Sequence, residues 1–105
     1  MKPKCCIDTK VLKEVGQTAN ILKIIAEKNR LKILCVLNTG KRCVCDIWQD
    51  LNISQNLASH HLKVLKDAGL IDSHKEGLKM IYWINKKAMS KFNSLLNNFL
   101  QTYGK

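Results

Sequence analysis

The sequence lacks the features that mark several classes of protein. Its 105 residues contain no apolar run of about 18 residues, so we expect no membrane-spanning helix. The N-terminus, Met1 to Cys6, has no apolar stretch of the kind found in signal peptides, which favours a cytoplasmic protein. Because no glycine-rich phosphate loop, paired carboxylates or nucleophile–base motif is evident, we expect no enzyme. The single proline, Pro3, leaves every later helix uninterrupted.

Acidic residues are also scarce. Eight Asp and Glu stand against 18 Lys and Arg, which leaves a net charge of +10 and a sequence pI of about 9.6. Such an excess of positive charge in a small chain indicates a polyanionic partner, most simply nucleic acid. The hydrophobic fraction of 46% is ordinary for a globular protein, and residues 1–105 fit a single domain. A domain of this size buries a limited core, so dimerisation is an expected supplement.

The apolar spacing predicts a mainly α fold with a smaller β part (α+β). From Val11 to Leu37 apolar residues recur every three or four positions, which is the period of a helix. Asn29 is the predicted cap of a second helix within this region, and Gly40 is its predicted end. The residues of this second helix that we expect to be largely buried are Leu31, Ile33, Leu34, Cys35 and Leu37.

The second half of the chain predicts a helix–turn–helix followed by a β-hairpin. A short helix follows an extended segment at Cys43 and is broken at Asn52, and Ser54 caps a longer helix that Gly69 closes. The period then changes to that of strands. This order is that of a winged helix-turn-helix. Its predicted parts are a flexible N-terminal tail (1–10), the helix-turn-helix (43–68), a two-stranded β-hairpin wing (70–84, with its tip at 75–79) and a dimerisation helix (86–103).

The second helix of the helix-turn-helix is the predicted reader of DNA. One of its faces is polar, and the opposite face, with Ala58, His61, Leu62 and Leu65, is mainly apolar. Amides and hydroxyls in the first turn suit the donor and acceptor pattern of the major groove, and lysines suit phosphate oxygens. A plain solvated face is the alternative, which the flanking hairpin and the net charge disfavour. The predicted DNA-binding residues are Ser54, Gln55, Asn56, Ser59, His60, Lys63, Lys66, Lys75 and Lys79.

Two apolar stripes, one on the first helix and one on the last, predict a helical dimer interface. In so short a domain, a terminal stripe this apolar is expected to pack on a second subunit rather than only on its own core. The predicted interface residues are Val11, Leu12, Val15, Phe92, Leu95, Leu96, Phe99 and Leu100.

Four segments carry a resemblance to a known family. They are Asn29–Leu34, Cys43–Ile47 (sequence CVCDI), Ser54–Leu70, and Lys75–Gly77 followed by Tyr82. Together they resemble the ArsR/SmtB family of winged-helix repressors, over roughly residues 19–92. The resemblance implies a homodimeric repressor that sits on an inverted repeat of double-stranded DNA at a resistance operon. It needs no cofactor to bind DNA, and it leaves DNA when a toxic metal or metalloid ion binds.

The cysteines are the candidate ligands of that ion. Thiolates select soft ions, and Cys43 and Cys45 are two residues apart in an extended lead-in, so their sulfurs can converge. Trp48 occupies the position where arsenic sensors of the family often have a third cysteine. Other family members add N-terminal cysteines, which implies Cys5 and Cys6 as the remaining ligands. We favour As(III) or Sb(III) as the inducer, followed by Cd(II), Pb(II) and Zn(II).

Other interpretations remain open from the sequence. Cys43 and Cys45 can act as small apolar residues at a helix start, or form a disulfide in a repressor that responds to oxidants without a metal. A basic module that binds nucleic acid without an inducer is a third interpretation. The terminal helix has no Asp, Glu or His, so the second metal site that some family members carry there is absent.

Overall fold

The computed structural model describes residues 9–104, apart from the side chains at positions 11, 102 and 103. The predicted ligands Cys5 and Cys6, and the side chain of Val11, lie outside the described residues. The elements in chain order are α1 (Thr9–Ile25), α2 (Lys28–Asn38), β1 (Arg42–Cys43), α3 (Val44–Leu51), α4 (Gln55–Asp67), β2 (Ile71–Glu76), β3 (Lys79–Ile84) and α5 (Lys86–Tyr103). This order confirms the predicted mainly α winged helix-turn-helix.

The starts of the first two helices differ from the prediction. Helix α1 begins at Thr9, so the end of the predicted flexible tail is helical. Helix α2 is capped by Glu27 rather than Asn29, and the Glu27 carboxylate accepts a hydrogen bond from the main-chain N–H of Arg30 at 3.0 Å. A carboxylate satisfies the free N–H groups at a helix start and interacts favourably with the positive end of the helix dipole. This explains why a glutamate takes the position.

Strands β2 and β3 form the predicted two-stranded hairpin wing, and β1 adds a short third strand to its sheet. Strand β3 lies in the middle and pairs antiparallel with both β1 and β2. In the register, Arg42 is opposite Tyr82 and Cys43 is opposite Ile81, while β2 and β3 pair from Ile71–Ile84 to Glu76–Lys79. The hairpin tip is therefore shorter than predicted and consists of Gly77 and Leu78. Gly77 has a φ of +62°, a conformation that glycine adopts without strain.

The core lies between α2, α3, α4 and the start of the sheet. Its fully buried members, at 0% or 1% exposure, are Ile33, Ile47, Leu62, Leu65, Leu70 and Ile71. The predicted burial of Leu34 and Leu37 is also confirmed. Two predictions for α2 are wrong, because Leu31 is 46% exposed and Cys35 is exposed. They lie four residues apart on one side of the helix, whereas Ile33 and Leu37 occupy the opposite, inward side.

The chain is elongated. Its radius of gyration is 16.3 Å, whereas about 13 Å is usual for a compact domain of this length. The long helices α1 and α5 contact each other. Within residues 9–104, no helix is long and apolar enough to cross a membrane.

Candidate DNA-binding surface and thiol pair

Helix α4 is held by a sharp turn and a side-chain cap. Asn52 ends α3 in the left-handed conformation, with a φ of +55°. Two residues later, Ser54 has extended backbone, and its Oγ accepts a hydrogen bond from the N–H of Leu57 at 3.1 Å. Both local predictions, a break at Asn52 and a cap at Ser54, are confirmed. The cap satisfies one of the free N–H groups at the start of α4 and so stabilises its first turn.

The two faces of α4 have the polarity that the sequence predicts. Its inner face is buried, with Ala58, Leu62 and Leu65 at 0% exposure and His61 at 5%. The predicted DNA-binding residues of the helix are all exposed, namely Gln55, Asn56, Ser59, His60, Lys63 and Lys66, as is the cap Ser54. The fold thus presents their amides, hydroxyls and ammonium groups to solvent along one helix. Contact of these residues with DNA stays a prediction.

The wing is joined to α4 through a lysine. Lys66 Nζ donates a hydrogen bond to Ser73 Oγ in β2 at 2.6 Å, a contact that spacing along the chain does not reveal. Lys75 and Lys79 are exposed on the strands that flank the tip. At the tip itself, Leu78 is 99% exposed. The sheet thus extends the basic surface of α4 with further lysines, and Lys66 connects the two parts.

A second cluster lies on the sheet, around Trp83. The ring of His74 lies 5.0 Å from that of Trp83, and Lys41 Nζ lies 5.1 Å from its centroid. His74 also contacts the carboxylate of Glu76, with 2.7 Å between Nε2 and Oε1. His74 therefore has a carboxylate neighbour on the wing.

Beneath α4, His61 belongs to a polar cluster that the sequence did not predict. Arg30 Nε donates a hydrogen bond to His61 Nδ1 at 3.1 Å, and Glu27 Oε2 lies 3.6 Å from His61 Nε2. Burial lowers the pKa of His61, against the charge of Glu27, which raises it. Burial by itself raises the pKa of Glu27. Hydrogen bonds from the main-chain N–H groups of Asn29 and Arg30, together with the charges of His61 and Arg30, lower this pKa by more, so the net shift is downward. We name these residues the Glu27–Arg30–His61 cluster.

The thiol pair lies at the start of α3. Cys43 caps the helix, is 7% exposed, and its Sγ accepts a hydrogen bond from the N–H of Cys45 at 3.3 Å. The two Cα atoms are 5.3 Å apart, and the sulfurs are joined as a disulfide. The side chains therefore converge, as the two-residue spacing predicts. Residues 9–104 contain no group of three or more His, Cys, Asp or Glu side chains that is able to hold a metal ion.

An apolar groove runs between α1 and α5. Its volume is about 200 Å³, and its lining residues are Val15, Thr18, Ala19, Leu22, Leu96, Phe99 and Leu100. Leu12, Leu22, Phe99 and Leu100 are 39–53% exposed. Leu95 and Leu96 are half-buried. Phe92 is only 6% exposed within the single chain, so it has little surface left for a second subunit.

Comparison with known proteins finds relatives that agree with one another. Residues 27–73 match the model of the bacterial regulatory protein arsR family. The chain is 35% identical over 81 residues to the arsenical resistance operon repressor of Staphylococcus xylosus, which covers 77% of this chain and 78% of that protein. It is 34% identical over 87 residues to the cadmium resistance transcriptional regulatory protein CadC of Listeria innocua, covering 82% of this chain and 73% of that protein.

A solved structure agrees with the sequence relatives. The homodimeric winged helix-turn-helix DNA-binding domain from Mycobacterium bovis matches with a TM-score of 0.66 and 25% identity, covering 100% of this chain and 94% of that one. These relatives are transcriptional regulators, not enzymes.

Proposed function

The chain belongs to the arsR family of bacterial regulatory proteins, and from this premise we propose that it is a homodimeric repressor whose operator DNA is released when a thiophilic ion binds its cysteines. One observation carries the proposal: two cysteines whose sulfurs meet begin α3, the helix directly before the exposed polar face of α4, and reduction of their disulfide supplies two thiols. The names of the relatives, repressors of arsenical and cadmium resistance, support a resistance operon as the target. We place the protein in the cytoplasm, where thiols are kept reduced.

The proposed DNA complex places α4 in the major groove of an inverted repeat. Gln55 and Asn56, in the first turn, read base edges, and the lysines of α4 and the wing contact phosphates. Helices α1 and α5 form the interface, and the exposed apolar groove between them supports this. The two-fold axis then sets the two copies of α4 about one DNA turn apart. No cofactor takes part in this step.

The proposed inducer site begins with Cys43 and Cys45. Two sulfur donors suit a soft ion but are fewer than the three or four that such ions bind, so Cys5 and Cys6 are proposed to complete the site. Three thiolates match pyramidal As(III) or Sb(III), which we favour. Four match Cd(II), Pb(II) or Zn(II), which come next. Trp48 follows Cys45 on the same helix and supplies a fluorescence signal beside the site.

Ion binding acts on DNA through the short connection between α3 and α4. Only Asn52, Ile53 and Ser54 separate the two helices. An ion that draws Cys43 and Cys45 towards other thiols shifts the start of α3, and the shift reaches α4 through this turn. The ion must bind the DNA-free form more tightly, and the same factor then weakens DNA binding.

A second candidate function has its own support in the disulfide between Cys43 and Cys45. In this alternative an oxidant such as hydrogen peroxide takes two electrons from the two thiols, the sulfurs bond, and two protons leave. The disulfide then shifts α3 without any metal. The two candidates use the same pair of residues and differ in their inducer.

The test measures release of fluorescein-labelled DNA by anisotropy, without oxygen and with the cysteines reduced. The DNA is a duplex selected from random sequence by the wild-type protein. We expect As(III) to release the labelled DNA from the wild-type protein. We expect no release from the Cys43→Ser variant or from the Cys5→Ser/Cys6→Ser double variant. Cys35→Ser is the matched control, because Cys35 is exposed on α2 and outside the proposed site.

Each other outcome decides between the candidates. Release by Cd(II), Pb(II) or Zn(II) alone changes the favoured ion but keeps the site, provided Cys43→Ser abolishes it. Release by peroxide and by no ion establishes the redox candidate. Unchanged response of Cys43→Ser to every inducer would refute both.

A further inference from the structure

The Glu27–Arg30–His61 cluster joins three helices. Besides its bond to His61, the Arg30 guanidinium donates from Nη1 to the main-chain oxygen of Ile24 at 3.1 Å. Ile24 lies in the last turn of α1, Glu27 and Arg30 lie at the start of α2, and His61 lies on the buried face of α4. One side chain therefore connects the end of α1 directly to the helix that carries the candidate DNA-reading residues.

The hydrogen bond between Arg30 and His61 defines the arrangement of protons in the cluster. Since Arg30 Nε donates to His61 Nδ1, that nitrogen is the acceptor, and the ring proton is on Nε2, which faces Glu27. Among residues 9–104, every buried side-chain nitrogen or oxygen has a partner. Loss of the acceptor at position 61 therefore leaves the guanidinium of Arg30 with an unmet donor.

Apolar packing alone does not fix the angle between these helices. Ile21, Ile24 and Ile25 of α1 pack against the core to which Leu62 and Leu65 of α4 belong. Such contacts are non-directional, and they tolerate small rotations and slides. Hydrogen bonds weaken steeply as their angle changes, so the two bonds from Arg30 restrict these movements.

We propose that the Glu27–Arg30–His61 cluster is a positioning device that fixes α4 relative to α1, and thereby sets the spacing of the two recognition helices in the dimer. The inference rests on the proposed function, in which α1 belongs to the dimer interface and α4 reads DNA. When the cluster is lost, α4 is free to rotate slightly against α1 in both subunits, and this displaces the two recognition helices relative to each other. It leaves each helix able to read a single arm of the operator.

The cluster therefore affects the affinity for a complete inverted repeat, the two-arm duplex, more than the affinity for a duplex with a single intact half-site, the one-arm duplex. Two duplexes measure this: an inverted repeat selected from random sequence by the wild-type protein, and the same duplex with one arm scrambled. His61→Leu keeps the bulk of the side chain and removes the acceptor. It should lower the affinity for the two-arm duplex about tenfold, the effect of one charge-assisted hydrogen bond, and change one-arm affinity by less than about threefold.

Three further variants separate positioning from a general loss of stability. His61→Asn keeps an acceptor oxygen near the place of Nδ1 and should restore two-arm affinity. Arg30→Lys keeps the charge but lacks the planar N–H groups that reach His61 and Ile24, and should behave like His61→Leu; it serves alone if His61→Leu does not fold. Ile71→Val is the matched control, a fully buried core change on β2, outside the three helices that the cluster joins. All binding is measured well below the melting temperature of each variant.

The outcomes are distinct. A selective two-arm loss with rescue by His61→Asn supports the inference. Equal losses on both duplexes, no loss in either variant, or a selective loss that His61→Asn shares would overturn it. If the wild-type protein selects no inverted repeat, the proposed function itself is wrong. This outcome is distinguishable because the selection is done before any variant is measured.

Discussion

Leu22 and Leu100 test whether the groove between α1 and α5 is the dimer interface. They line this groove and are 39% and 53% exposed, so about half of each side chain remains to be covered. Full burial of a leucine side chain contributes about 1.5–3 kcal/mol, which leaves roughly 0.8–1.5 kcal/mol for each copy on association. Each substitution occurs twice in a symmetric dimer. Leu100→Ala should therefore weaken the dimer by roughly 1.5–3 kcal/mol, about 10- to 150-fold in dissociation constant.

Sedimentation equilibrium over a range of protein concentrations measures this constant directly. Leu78→Ala is the matched control, because Leu78 is a leucine at the wing tip, 99% exposed and far from the groove along the chain. Far-UV circular dichroism checks that the variants keep their helices. If Leu22→Ala and Leu100→Ala dimerise as tightly as Leu78→Ala, the groove is not the interface, and the reasoning from exposed apolar surface is refuted.

Three further predictions concern DNA binding, pH and the backbone. Each lysine occurs twice in the dimer, so Lys63→Ala and Lys75→Ala should each reduce the slope of log affinity against log salt concentration by about two units in a salt titration. An unchanged slope argues against a phosphate contact. Burial lowers the pKa of His61, so the unfolded chain takes up a proton at higher pH than the folded chain. The free energy of unfolding should therefore decrease as the pH falls from about 6.5 towards the lower pKa of the folded state, and urea denaturation of His61→Leu should lack this decrease. Gly69 has a φ of +79°, while Gly16 lies inside α1 with open space beside it. Gly69→Ala should lower, and Gly16→Ala should raise, the free energy of unfolding by about 1 kcal/mol, and equal signs in urea denaturation would contradict this.

Local sequence signals determined much of the fold. The caps and breaks at Asn52, Ser54 and Gly69 depend on backbone conformations and hydrogen bonds within a few residues, and each is found where the sequence predicts it. The division of α4 into an exposed polar face and a buried apolar face follows from helical periodicity. For the same reason, the exposed candidate DNA-binding residues of α4 were predictable from the sequence.

The two wrong burial predictions on α2 show where helical periodicity is not enough to predict which residues are buried. Leu31, Ile33, Leu34, Cys35 and Leu37 crowd a single helix with apolar residues, so the pattern does not tell which side faces the core. The packing of α3 and α4 against α2 selects the side with Ile33 and Leu37. It leaves Leu31 and Cys35 exposed.

The sequence by itself determined the order of elements, the helix caps, the basic surface and the presence of a closely spaced thiol pair, because each is written in residues near one another along the chain. Only the tertiary structure decided which distant residues meet. Arg30 reaches His61 across 31 positions, and β1 pairs with β3 to add a third strand to the sheet of the wing. Such contacts depend on how the helices and strands are placed in space. No pattern of neighbouring residues encodes that placement, so the Glu27–Arg30–His61 cluster became visible only in the folded chain.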